Sequence, residues 1–295
     1  MKFIKSLILS TAFIATGAMA AEKITWVLPY GPGGGTDQVI QQLRPLIEAR
    51  GHEVEVKYLK SCSQALDILH QNKPNTVLNA NSNVFEPGNP DAQCVMDADK
   101  DGIVLFKGLN SNPLYFCTAP GKQMGVVGLS TGEHRVGVVS EMQLLKYVDY
   151  ILTNLTREHD VKIVPYRGGG QIVRAARSGD IDLWFGGSQI TVFDKDEISC
   201  FGASIKNDPR GYPFVGEITT KGDTLTEFSL INLLWVKEGM ISPDVAESFS
   251  AAVNSPEFKK YLEEKKRDAV TSSNAELMKQ LEELNVLFTS IPDIK

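Results

Sequence analysis

Two glycine-rich runs hold the most readable chemistry of this sequence. The first, Pro29-Tyr30-Gly31-Pro32-Gly33-Gly34-Gly35-Thr36-Asp37, stands between the apolar run 24–28 and a stretch with helical spacing. Glycine lets the backbone approach a ligand and turn its N–H groups inward, and a helix N-terminus adds partial positive charge, so this position suits an anion. Thr36 or Asp37 can also cap the helix. A phosphate-binding loop needs GxxxxGK[ST], and no lysine follows these glycines; the dinucleotide pattern GxGxxG is met by Gly31 and Gly33 but has Thr36 in its third glycine position. A tight turn without a ligand is the plain alternative. The second run, Val164-Pro165-Tyr166-Arg167-Gly168-Gly169-Gly170-Gln171, again leads from strand to helix. Arg167 there offers a fixed charge and a bidentate fork for a carboxylate, or else it is a surface arginine on a turn.

Other residues add less. Asn81 and Asn83 follow a third strand toward the same end of the sheet, where amides can bond ligand oxygens, although Asn is also a common turn former. Asp97, Asp99, Asp101 and Gly102 imitate the start of an EF-hand loop, but Gly108 occupies the twelfth position that requires glutamate, so no metal site is expected. Gly186-Gly187-Ser188-Gln189-Ile190 is similar to a nucleophile elbow without its second flanking glycine. His52, His70, His134 and His159 are scattered, and each is read as an exposed histidine. With no positioned nucleophile and base, the sequence argues against an enzyme and implies no cofactor.

The elements that must position these residues alternate. The apolar run 24–28, the alternating stretch 53–58 and the run 76–79 read as strands, with helices at 37–50 and 64–70 between them. The rhythm resumes with strands at 114–118, 135–139, 162–165 and 181–185 and helices at 143–155 and 171–178. A late strand at 228–236 and helices at 243–253, 256–266 and 274–287 complete the chain. Two βαβ units predict two α/β lobes with a cleft between them, and ligands of such sheets sit beyond the carboxyl ends of the strands. Both glycine loops fall there.

Residues 1–20 read as a cleavable signal peptide: Lys2 and Lys5, a short apolar centre, then Ala18-Met19-Ala20 with cleavage after Ala20. The apolar stretch is too short for a bilayer, which needs roughly 20 predominantly apolar residues. A soluble, periplasmic product is expected. Its acidity grows on processing, since the formal charge of −6 loses two lysines; that balance argues against nucleic acid as a partner. Cys62, Cys94, Cys117 and Cys200 form an even set in an oxidising compartment, so two disulfides are expected, and spacing alone leaves all three pairings open.

Taken together, Pro29–Asp37, Val164–Gly168 and Gly179-Asp180-Ile181-Asp182-Leu183-Trp184-Phe185 resemble the Bug family, the extracytoplasmic receptors of tripartite tricarboxylate transporters. Asp97–Gly102, Arg210 and the Ser255-Pro256-Glu257 turn add to the likeness. The resemblance implies a two-lobed type II periplasmic binding protein fold that closes on its ligand, with residues 21–112 and 227–295 as one lobe and 113–226 as the other. It further implies a small organic acid or amino acid as ligand, membrane permease subunits as partners and a monomer. Gly33, Gly34, Thr36, Asp37, Tyr166, Arg167, Gly168 and Gly169 become its carboxylate contacts, and Ser188 a ligand contact on the turn after a strand. It favours Cys62–Cys94 within the first lobe and Cys117–Cys200 near the hinge. The family's serine-rich turn is reduced here to Ser140, followed by Glu141 and Met142. Glu141 either accepts from an amine or hydroxyl of the ligand or sits at a helix N-terminus, stabilised by the dipole. A sensor feeding a signalling partner, or a secreted α/β hydrolase, are the alternative functions.

Overall fold

The computed structural model describes residues 21–82, 101–122, 133–139, 142–155, 160–218 and 227–291. Residues 1–20, read above as a signal peptide, and Asn83, Cys94, Asp97, Asp99, Ser140, Glu141 and His159 lie outside them. The chain begins β1 (Lys23–Leu28), α1 (Gly35–Glu48), β2 (Glu53–Tyr58), α2 (Cys62–Leu69), β3 (Thr76–Asn81) and β4 (Ile103–Pro113). It continues with β5 (Tyr115–Thr118), β6 (Glu133–Val139), α3 (Met142–Leu155), β7 (Asp160–Tyr166), α4 (Gly169–Ser178), β8 (Leu183–Gly186), β9 (Cys200–Ala203) and α5 (Val215–Ile218). It ends with β10 (Ser229–Lys237), α6 (Pro243–Asn254), α7 (Pro256–Glu264), β11 (Asp268–Ala269) and α8 (Asn274–Ser290).

Two sheets form, in the orders β11-β4-β10-β3-β1-β2 and β7-β6-β8-β5-β9. Strand β1 is parallel to β2 and β3, and β6 is parallel to β7 and β8, as the βαβ rhythm predicts. Neither sheet is wholly parallel. Strand β10 enters the first sheet antiparallel between β3 and β4, and β5 enters the second antiparallel between β8 and β9. Strands β4 and β9 have no counterpart in the sequence reading. Strand β4 carries Lys107, Gly108 and Asn110 amid its apolar residues, so neither alternation nor a continuous apolar run marks it.

Parallel strands covered on both faces read as continuous apolar runs. Ile24, Trp26, Val27 and Leu28 are accordingly all fully buried. Helix α1 buries Val39, Ile40, Leu43 and Ile47 on one stripe. Helix α8 starts with a capping box between Ser273 and Glu276. Its first half places Leu277 and Leu281 in a core under the first sheet, while Leu287, Phe288 and Ile291 join the core of the second. The chain crosses between sheets beside Ser204, which is fully buried. Its hydroxyl accepts from Leu114 N–H at 2.9 Å and donates to the Phe228 carbonyl at 2.7 Å, tying the outgoing strand to the returning one.

The histidine reading needs correction at two places: His52 and His134 are buried, because they sit at the starts of strands packed beneath neighbouring elements. His52 bonds Ser248 Oγ at 2.8 Å. No helix among the described residues is long and apolar enough to cross a membrane. Cys117 and Cys200 form a disulfide between adjacent strands β5 and β9, the pairing expected for them. Cys62 is also disulfide-bonded. Replacing Cys117 and Cys200 together by serine is expected to lower stability by about 2–4 kcal/mol, chiefly by releasing the unfolded chain, as read from urea unfolding.

Candidate functional site

Strand β1 delivers the chain into the first glycine loop, and Asp37 sets that loop's shape. Its Oδ2 accepts the Gly33 N–H at 2.7 Å, while Oδ1 accepts Tyr58 Oη at 2.6 Å and Gln41 Nε2 at 3.0 Å. Gly33 has a φ of 82°, a conformation that favours glycine. Tyr30 Oη accepts the Asn81 N–H at 3.1 Å, pinning the loop to the end of β3. Helix α1 then starts from Gly34 with no side-chain cap, so amides of its first turn keep their bonding capacity. The second loop behaves alike. Gln171 Oε1 accepts the Arg167 N–H at 3.0 Å, and α4 starts from Gly168 without a side-chain cap.

The two loops meet. A Cβ on Gly170 would lie 2.9 Å from the Pro32 carbonyl oxygen, and one on Gly34 would lie 3.8 Å from Gly169 N. At Gly170 a side chain would force the loops apart, so its absence is what lets the two helix N-termini face one cavity. At the end of β8, a Cβ on Gly187 would overlap the Asn112 amide.

The cavity between the loops encloses about 70 Å³. That is small beside the ~300–1,000 Å³ of pockets for drug-sized ligands, and it suits a small solute. Its walls come from the carboxyl ends of β1, β3, β6, β7 and β8, where ligands of α/β sheets gather. Of the residues singled out from sequence, Gly34, Thr36, Asp37, Asn81, Gly168 and Gly169 line it. Gly33, Tyr166 and Arg167 do not; Gly33 works through its bond to Asp37, and Arg167 is exposed. Ser188 opens a 3-10 turn just beyond Gly187.

Three polar wall residues escaped the sequence reading: Asn112, Asn232 and Arg267. Thr36 Oγ1 lies 3.1 Å from Asn232 Oδ1 and 3.3 Å from Asn81 Oδ1, so one hydroxyl proton is shared between two amides. Asn232 Nδ2 in turn donates to Asn110 Oδ1 at 2.9 Å. An asparagine inside the apolar run Leu230–Val236 was a usable signal, because a polar group buried mid-strand needs partners. Arg267 gave none, standing among the lysines that follow α7.

A different group has metal-ligand chemistry. Glu22, His52 and Asp244 bring ligand atoms within 4.8 Å of one another, at the amino ends of β1 and β2 and therefore at the far end of the sheet from the cavity. Its members already hold the chain together: Glu22 accepts from the Ser242 hydroxyl and from Asn75 Nδ2, and Ser248 bonds the imidazole.

No protein-family model matches the sequence, and no curated protein sequence matches it. Solved structures do. MatC from Rhodopseudomonas palustris with bound malate superposes with a TM-score of 0.74 at 14% identity, over 92% of this chain and 99% of that one. The periplasmic binding protein BugD gives 0.73 at 14% identity, over 92% and 97%. A second R. palustris protein, with adipate, gives 0.72 at 13%, over 92% and 96%. This is the type II periplasmic binding protein fold. The Bug-type resemblance read from the glycine loops thus holds at the level of fold, across nearly the whole chain. Residues from both sheets wall the cavity, and the glycine loops form part of that wall.

The loop scaffold makes stability pH-dependent. Burial, then the hydrogen bond to Asp37, pushes the Tyr58 hydroxyl up to about 12. Burial also raises Tyr115 and Tyr147. Each keeps its proton in the folded chain where the unfolded chain has lost it, so the folded state binds more protons and stability falls as pH rises above about 10. Urea midpoints across that range should decline, and Tyr58→Phe should make the decline shallower; an unchanged slope in the variant would refute the role given to Tyr58.

Proposed function

We propose that this protein is an extracytoplasmic receptor that captures a small organic carboxylate between two lobes and hands it to a tripartite tricarboxylate-type membrane permease. The observation that carries this reading is the pair of uncapped helix N-termini, α1 and α4, meeting across one small cavity. Backbone N–H groups and two helix dipoles facing one cavity stabilise an anion there. The malate and adipate of the two R. palustris structures are carboxylates, in agreement with this chemistry. The reading takes residues 21–112 and 227–295 as one lobe and 113–226 as the other, with a hinge at the crossovers beside Ser204. It also takes residues 1–20 as the export signal, so capture occurs in the periplasm. Lobe closure brings the glycine loops together and shields the solute from water.

Thermal-shift and calorimetric titration of the purified protein with mono-, di- and tricarboxylates, amino acids and aromatic acids tests the proposal. A carboxylate that binds only the folded state should raise the apparent stability by about 2.7 kcal/mol at a hundredfold excess over its Kd. Gly170→Val should hold the loops apart and weaken that carboxylate by about tenfold, equivalent to ~1.4 kcal/mol, while the protein remains folded. Stabilisation by neutral solutes alone, with none by any acid, would refute the reading.

A further inference from the structure

Arg267 stands at the turn from α7 to β11 and is only 4% exposed, yet it lines the cavity. Its contacts are few and neutral. Nη1 donates to the Gly35 carbonyl at 3.2 Å and to Tyr261 Oη at 3.4 Å, and Nη2 donates to Gln38 Oε1 at 3.3 Å. The guanidinium also lies 5.8 Å from the centre of the Tyr261 ring. Its Nε is buried with no partner. Among the described residues no carboxylate comes within ion-pair distance of it.

The sources that would ordinarily offset such a charge are engaged elsewhere. The Asp37 carboxylate, also on the cavity wall, is held by Gly33, Gln41 and Tyr58. The carbonyls at the end of α7 are taken by a second arginine: Arg210 Nη2 donates to Lys265 O at 2.8 Å and Nη1 to Lys266 O at 3.4 Å. Asp268, the next residue, is exposed. Desolvation, together with repulsion from Arg210, holds Arg267 below the usual guanidinium range. Burying a cation without a counter-ion is costly even after relaxation, and arginine is seldom fully buried unless paired. Among the described residues no other opposite charge is placed against it, and the cavity is where one can enter.

We propose that Arg267 is the specificity-determining cation of the cavity, placed to bond a carboxylate of the bound solute directly. The inference rests on the receptor reading above and sharpens it. The glycine loops provide a dipolar cradle for an anion, whereas Arg267 provides a full charge with a planar fork that matches a carboxylate. A solute that presents an amide or an ammonium to this wall leaves the guanidinium buried and unpaired, and so is rejected. The cavity therefore selects organic acids over their amides by charge as well as by shape.

The test compares wild type with Arg267→Gln, Arg267→Lys and Arg267→Met, using acetate, malate and adipate, each beside its amide. Thermal shift gives the ligand-free stability, and calorimetry gives affinity. The proposal expects Arg267→Gln or Arg267→Met to be at least as stable as wild type without ligand, since an uncompensated charge has gone. It expects both to bind the carboxylates about tenfold or more weakly, the scale of one lost charge-assisted hydrogen bond. Arg267→Lys should recover part of that loss, and the preference of acid over amide should shrink in the neutral variants. If the carboxylates bind wild type and the neutral variants within twofold of each other, this proposal fails while the receptor reading stands. A structural role is indicated instead, and the proposal overturned, if both neutral variants melt several degrees lower without ligand and keep the acid preference. Failure of every carboxylate to bind wild type sinks both readings together.

Discussion

The close approach of two glycine backbones is the constraint on which this structure turns. A Cβ on Gly170 would lie too close to the Pro32 carbonyl for the backbone to stay in place, while Gly34 lies against Gly169 at ordinary contact distance. Because of it, α1 and α4 present their positive ends to the same small volume, an arrangement unfavourable in isolation and relieved by an anion between them. The side chains around the loops serve this geometry. Asp37 ties Gly33 and Tyr58 together, Tyr30 holds the end of β3, and Gln171 folds the second loop onto its own helix.

Holding two sheets so that their loops can meet requires a defined crossover, and Ser204 provides its centre. One hydroxyl satisfies the polar backbone groups of both crossing segments, so the chain passes between sheets with those groups bonded although it is buried there. Helix α8 spans the same divide with apolar residues, contributing to the core of each sheet from one rigid element. Arg210 adds a polar strut, reaching from beside Tyr115 to the carbonyls that end α7. Directly beyond those carbonyls stands Arg267, so the element that carries the buried charge is braced from the second sheet.

Much of the fold was legible in the chain. The repeated strand–helix spacing predicted the parallel cores β1–β3 and β6–β8, and the glycine loops located the end of the sheets where the cavity lies. The antiparallel insertions were not legible. Strand β10 pairs with residues more than a hundred positions earlier, and nothing in its own apolar run distinguishes a parallel from an antiparallel neighbour. At Arg167 the sequence left a carboxylate fork and a surface arginine both open; its backbone N–H donates to Gln171 Oε1 and its side chain is exposed.

By itself the sequence determined the longer helices, the parallel strands and the two anion-suited loops, because helical periodicity, strand patterning and glycine turns are properties of contiguous residues. Tertiary structure alone decided which side chains wall the cavity. Thr36, Asn81 and Asn232 form one hydrogen-bonded group from three distant segments, and Arg267 arrives from a charged run that reads as plain surface. Burial is a relation between segments, and until the sheets had packed nothing separated an arginine in solvent from one enclosed without a counter-ion.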